Sequence, residues 1–119
     1  MELQSISEEI IRHTKTIEMA NKVLKERAER KARALADYDK AVSKALVTLK
    51  NGGSLTVEGE TITDPPASYA EKIARGYCYK EKLETDLADS LYKNATTAIK
   101  STETIVSALQ SLLKIQTEV

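Results

Sequence analysis

Tryptophan and phenylalanine are absent from this chain, cysteine and histidine occur once each, proline twice and glycine four times. Without tryptophan or phenylalanine, and with an apolar fraction carried by Ala, Leu, Ile and Val, a thick globular centre is disfavoured and narrow helix-to-helix seams are favoured. The single cysteine, Cys78, excludes an intramolecular disulfide and a multi-cysteine zinc site, and it suits a reducing cytoplasm. Net charge is lacking as well, with 18 basic and 18 acidic residues, so no global field steers the protein towards nucleic acid or an anionic membrane. No apolar run approaches membrane-spanning length, and Met1-Glu2-Leu3-Gln4-Ser5 carries neither block of a signal peptide. A cytoplasmic location with no membrane contact is the expectation.

The scarce glycines and prolines are concentrated. Three of the four glycines and both prolines fall between Asn51 and Pro66, and everything on either side reads as helix. Asn51-Gly52-Gly53 is a left-handed helix stop. The alternations Leu55-Thr56-Val57 and Thr61-Ile62-Thr63 flank Glu58-Gly59 and fit a β-hairpin with a two-residue turn, a disordered loop being the alternative. In the hairpin register Leu55 faces Ile62 and Val57 faces Glu60, which gathers Leu55, Val57 and Ile62 on one face. A two-stranded hairpin is marginal alone, so that face needs cover from Tyr69 and Tyr77 or from another molecule.

The first arm, 5–50, starts at a Ser5-Ile6-Ser7-Glu8 capping box. Its apolar row is Leu3, Ile6, Ile10, Ile17, Ala20, Leu24, Ala28, Leu35, Tyr38, Val42, Ala45 and Leu49, with a stutter at Ala20-Leu24-Ala28. At about 1.5 Å per residue, the run from Ser5 to Lys50 makes a rod of roughly 68 Å. The pairs Glu8 with Arg12, Glu18 with Lys22, Glu26 with Arg30 and Glu29 with Arg33 support its wet side. The second arm, 67–118, starts either at Asp64-Pro65 or at a Ser68-Tyr69-Ala70-Glu71 capping box, and is expected to bend near Gly76 rather than break. Its seam is Leu87, Leu91, Ala95, Ala98, Thr102, Ile105, Leu109 and Leu112. Ile99, Val106 and Leu113 lie beside that seam and widen the apolar arc beyond what one partner helix uses, which predicts self-association through them.

Candidate chemistry is sparse. Between Lys22 and Arg33 there are six bases and two acids, and Lys22, Lys25, Arg30 and Arg33 form a basic face suited to phosphates or, more plainly, to solvent. His13 falls near the seam between Ile10 and Ile17 and has no second imidazole with which to build a metal or catalytic set. Cys78, between Tyr77 and Tyr79, reads as a structural, half-buried thiol. Tyr69, Tyr77, Tyr79 and Tyr92 are expected to pack across the hairpin end, a tyrosine-lined partner surface being the alternative. Asn94-Ala95-Thr96 spells a glycosylation sequon, set aside for its helical location.

Two resemblances add to this. The run Asp86-Leu87-Ala88-Asp89-Ser90-Leu91 resembles the metal-binding half of the all-helical MazG and dUTPase-like nucleotide pyrophosphatases, which implies magnesium held by carboxylates on packed helices. From Ala67 onward, a short Tyr-containing segment, Tyr79-Lys80 and one long Lys/Glu/Leu/Ala helix resemble in layout small phage and prophage accessory proteins of unassigned function. That layout implies an accessory role and carries over no active site. The expectation is therefore an all-α fold, a long antiparallel helical hairpin of coiled-coil or bundle type with a short β-hairpin-like insert, forming one domain over 1–119. The expected function is non-enzymatic protein binding and self-association, with no catalytic residue, metal or cofactor. Nucleic-acid binding is the second reading and nucleotide hydrolysis the third.

Overall fold

The computed structural model of the chain describes residues 2–118. Helix α1 (Leu3–Lys50) is followed by strands β1 (Ser54–Val57) and β2 (Glu60–Thr63), helix α2 (Ala67–Tyr77) and helix α3 (Tyr79–Thr117). The fold is the expected one: α1 and α3 pack as an antiparallel pair, with a two-stranded hairpin between the arms. The first helix starts two residues before Ser5, and its first turn closes with the Ile6 amide donating to the Glu2 carbonyl.

The end of α1 is a Schellman stop. The Gly53 N–H donates to the Thr48 carbonyl at 2.8 Å and the Gly52 N–H to the Leu49 carbonyl at 3.2 Å, with Gly52 at φ +79°. These bonds satisfy carbonyls that the helix itself leaves open. The hairpin follows at once in the anticipated register, Leu55 opposite Ile62 and Val57 opposite Glu60. Glu58 and Gly59 both have positive φ, 48° and 82°, as a type I′ turn demands. Hydroxyl pairs Ser54–Thr63 and Thr56–Thr61 lie on the wet face, and Leu55 on the other face is buried.

The second arm differs from expectation at both ends of α2. Neither Asp64 nor Ser68 caps it: Pro66 precedes the first turn with no side-chain bond, and Asp64 sits at φ +47°, in the left-handed region. Nor is the arm continuous. Gly76 stays helical and the chain breaks two residues later at Cys78, whose amide is shared between the Ala74 and Arg75 carbonyls at 3.2 and 3.1 Å. A single non-helical residue thus ends α2 and leads into α3.

By internal contacts the chain forms two units, Met1–Ala28 with Ser90–Val119, and Glu29–Asp89. The second holds the main core: Ala45 and Leu49 from α1, Leu55 from β1, Ala70 and Ala74 from α2, and Cys78, flanked by Tyr38, Ala41, Val42, Leu46 and Ile73. The apolar face of the hairpin is covered by alanines and Leu49. Tyr69, Tyr77 and Tyr79 are exposed, and Tyr38 is the aromatic packed against the core. Alanine allows a closer backbone approach than tyrosine, and the four-residue strand fits under that short spacing.

Candidate interaction surfaces

The buried row of α1 runs Ile6, Ile10, His13, Ile17, Ala20, Leu24 and Arg27 in the first unit, and Lys31, Ala34, Tyr38, Ala41 and Ala45 in the second. Ala20, Leu24 and Ala28, the expected stutter, are all half-buried, and Arg27 and Lys31 beside them are half-buried as well. Leu35 is 49% exposed, and Arg27 and Lys31 take the inward positions in its place. Long basic side chains do this by laying methylenes along the seam and carrying the charge to its rim. Arg27 donates to the Leu91 carbonyl at 3.1 Å, and the Lys31 ammonium reaches Asp89 at 3.1 Å.

On α3 the inward rows are Ala88, Ala95, Thr102 and Leu109 with Thr85, Tyr92, Ile99, Val106 and Leu113. This corrects the seam drawn from sequence. Ile99 is only 7% exposed and Val106 and Leu113 are half-buried, so these three serve the intrachain contact. The row left at the edge is Leu91, Ala98, Ile105 and Leu112, with Ala98 and Ile105 exposed; Leu87 is also exposed. Both rows share Ala95, Thr102 and Leu109, and the register against α1 decides between them. The Thr85 hydroxyl donating to the Ala34 carbonyl at 3.3 Å belongs to that register.

The other expected surface residues are distributed as follows. Leu55 is buried in the core, whereas Val57 and Ile62 are half-buried. Thr56, Val57, Glu58, Tyr77, Tyr79 and Lys80 line an open cleft beside the hairpin. Along the exposed side of α3, Tyr79, Leu83 and Leu87 repeat every four residues. Lys22 and Lys25 belong to the first unit and are exposed; Arg30 and Arg33 belong to the second, where Arg30 is taken up by Glu84 at 2.7 Å. The expected Glu26–Arg30 pair is therefore replaced by a bond between helices, and Arg12 pairs with Glu9 rather than Glu8.

The carboxylates do not converge. Asp86 is paired with Lys82 at 3.2 Å and Asp89 with Lys31, and no group of three or more metal-ligating side chains occurs among the described residues. Half-buried His13 lies 3.5 Å from Glu9, whose carboxyl is held below its ordinary range mainly by the bond from Arg12.

Cys78 is buried more deeply than its half-buried expectation. Burial raises its thiol above the ordinary value, and the Glu81 carboxylate adds to this. The unfolded chain therefore ionises first. The resulting stabilisation is complete below the unfolded value, near 9.0, and is lost as pH rises through the folded value. The urea midpoint of the wild type is expected to fall more steeply above pH 9.0 than that of Cys78→Ala. Aromatic disulfide reagents should modify the thiol only as fast as the core opens, and rapid labelling of the native protein would contradict this burial.

No family model, curated protein or solved structure matches this chain.

Proposed function

We propose that this chain is a self-associating helical interaction protein that acts by binding other proteins, in the accessory or regulatory manner that its layout implies. One observation carries the reading: large apolar side chains stay exposed on the helices of both units after the seam and core are filled. In the first unit these are Leu3, Ile11, Met19, Val23, Ile105 and Ile115; in the second, Leu35, Val47, Tyr69, Tyr77, Tyr79, Leu83 and Leu87. Apolar residues scattered singly need no explanation, but rows at helical spacing on a protein with so thin a core mark contact surfaces. The reading needs no reacting group, in keeping with carboxylates that are already paired with lysines. Sedimentation equilibrium is the test. An integral multiple of the chain mass at micromolar concentration is expected, retained in high salt because apolar contact is not screened. A chain that stays monomeric throughout that range would remove self-association from the reading.

A further inference from the structure

Within the second unit, the end of α2, the start of α3 and the tip of the hairpin border an open cleft of about 820 Å³. That is room enough for a small ligand or a large side chain. Two kinds of group line it. Tyr77 and Tyr79, 48% and 56% exposed, stand on either side of Cys78, the single non-helical residue between the helices. Glu58 from the hairpin turn and Glu81 from the first turn of α3 contribute carboxylates, against one ammonium from Lys80. These groups are uncommitted. Among the described residues neither Glu58 nor Glu81 has an ion-pair partner, and neither tyrosine ring meets a cation. Elsewhere in the same unit such groups are taken: the Lys82 ammonium lies 5.8 Å from the centre of the Tyr38 ring, and Glu84 and Asp89 pair with Arg30 and Lys31. Glu58 also runs against its turn. Its φ of +48° is one that Asn, Asp or Gly adopts with less strain, so turn formation gives no reason for glutamate there, whereas a carboxylate on the cleft does.

We infer that this cleft binds the guanidinium of an arginine on an exposed segment of a partner protein, with Tyr77 and Tyr79 supplying ring faces and Glu58 and Glu81 the countercharge. This rests on the protein-binding reading above and names what the partner presents. Arginine suits the lining better than lysine, because its planar head stacks on an aromatic ring while donating paired N–H bonds to a carboxylate. It is also the more weakly hydrated cation, so it leaves water at less cost. Val57, half-buried in the same lining, offers an apolar wall to the methylene stem. The opposite occupant is an anion, drawn by Lys80 and by the open amides at the start of α3. Glu81 already stands in that first turn, and the carboxylates outnumber the ammonium two to one, so the lining favours the cation.

Nuclear magnetic resonance shifts of the full chain, titrated with a blocked glycine-arginine-glycine peptide, test this. Saturable shifts are expected at Tyr77, Tyr79 and Gly59, with a dissociation constant in the millimolar range for so small a probe. The citrulline counterpart, which keeps the shape and loses the charge, should bind at least about 10-fold more weakly. Glu58→Gln and Tyr77→Leu should each weaken the arginine peptide at least about 5-fold, Tyr77→Phe should change it less than about 2-fold, and Lys80→Gln should tighten it. All three positions are exposed, so the urea midpoints should stay with the wild type. Tighter binding by Glu58→Gln with weaker binding by Lys80→Gln, equal affinity for citrulline, or no saturable shift at these residues overturns the assignment. An oligomer lost in Tyr77→Leu would seat a second copy on the cleft and overturn the separate partner. A cleft that refuses arginine while the wild type still self-associates removes this site and leaves the reading above standing. A monomeric wild type that binds the peptide does the reverse.

Discussion

Leu49→Ala should destabilise the protein by about 3 kcal/mol, read as a lowered urea midpoint at unchanged slope. Leu49 stands where the last turn of α1, the first strand and α2 meet, and it is buried together with Leu55, Ala70 and Ala74. Three of its five buried neighbours in that core, Ala45, Ala70 and Ala74, are alanines, which cannot move far enough to fill a cavity, so relaxation recovers little of the lost contact. The same change at exposed Leu87 should cost less than about 0.5 kcal/mol. Equal losses at the two leucines would mean that the hairpin end is not the stable centre of the chain.

Gly53→Ala ranks second, at about 2 kcal/mol. A methyl group there would meet the Thr48 Cγ2 at 2.7 Å and the Thr48 carbonyl oxygen at 2.9 Å. The second contact is backbone and lies in the bond that closes the helix stop, so the chain yields only by opening the Schellman turn. Gly52→Ala isolates the other reason for glycine: the added methyl meets nothing within 4 Å, and its cost comes from φ +79° alone, about 1 kcal/mol. Thr48→Ala combined with Gly53→Ala removes the side-chain clash and leaves the carbonyl, so a partial rescue is expected. Full rescue in thermal melts would show that the threonine methyl, not the turn, excludes the side chain.

Punctuation and strand pairing were the most legible parts of this fold. Glu58-Gly59 between two alternating segments was enough to place the hairpin register, because a two-residue turn permits one pairing. The seam was harder, for two reasons. Reading every arginine and lysine as wet carries the α1 row on to Leu35, which is exposed, and passes over Arg27 and Lys31, which are half-buried. On α3 two apolar rows flank one shared line, and only the facing helix distinguishes Ile99, Val106 and Leu113 from Leu91, Ala98, Ile105 and Leu112. Of the three residues expected beside the seam, Ile99 is thus buried within the chain, and Val106 and Leu113 are half-buried. The cover of the hairpin was obscure for a third reason, since Ala70 and Ala74 are too small to stand out beside Tyr69 and Tyr77.

The charges beside the seam of the second unit have a consequence for alignment. Heptad seams repeat, so sliding one helix by seven residues restores much of its apolar contact, and such slipped states compete with the native one. In the native alignment Lys31 meets Asp89 and Arg30 meets Glu84. A slip of one heptad towards the start of α3 would set Lys31 against Lys82 and carry Arg30 past the end of the helix, turning one attraction into repulsion and dissolving the other. Ion pairs this exposed add under about 1 kcal/mol to the native state, but their loss together with the new repulsion widens its gap from the slipped one. They serve as a vernier for the two arms, and the hairpin and helix stop are held to a fixed length of chain by it.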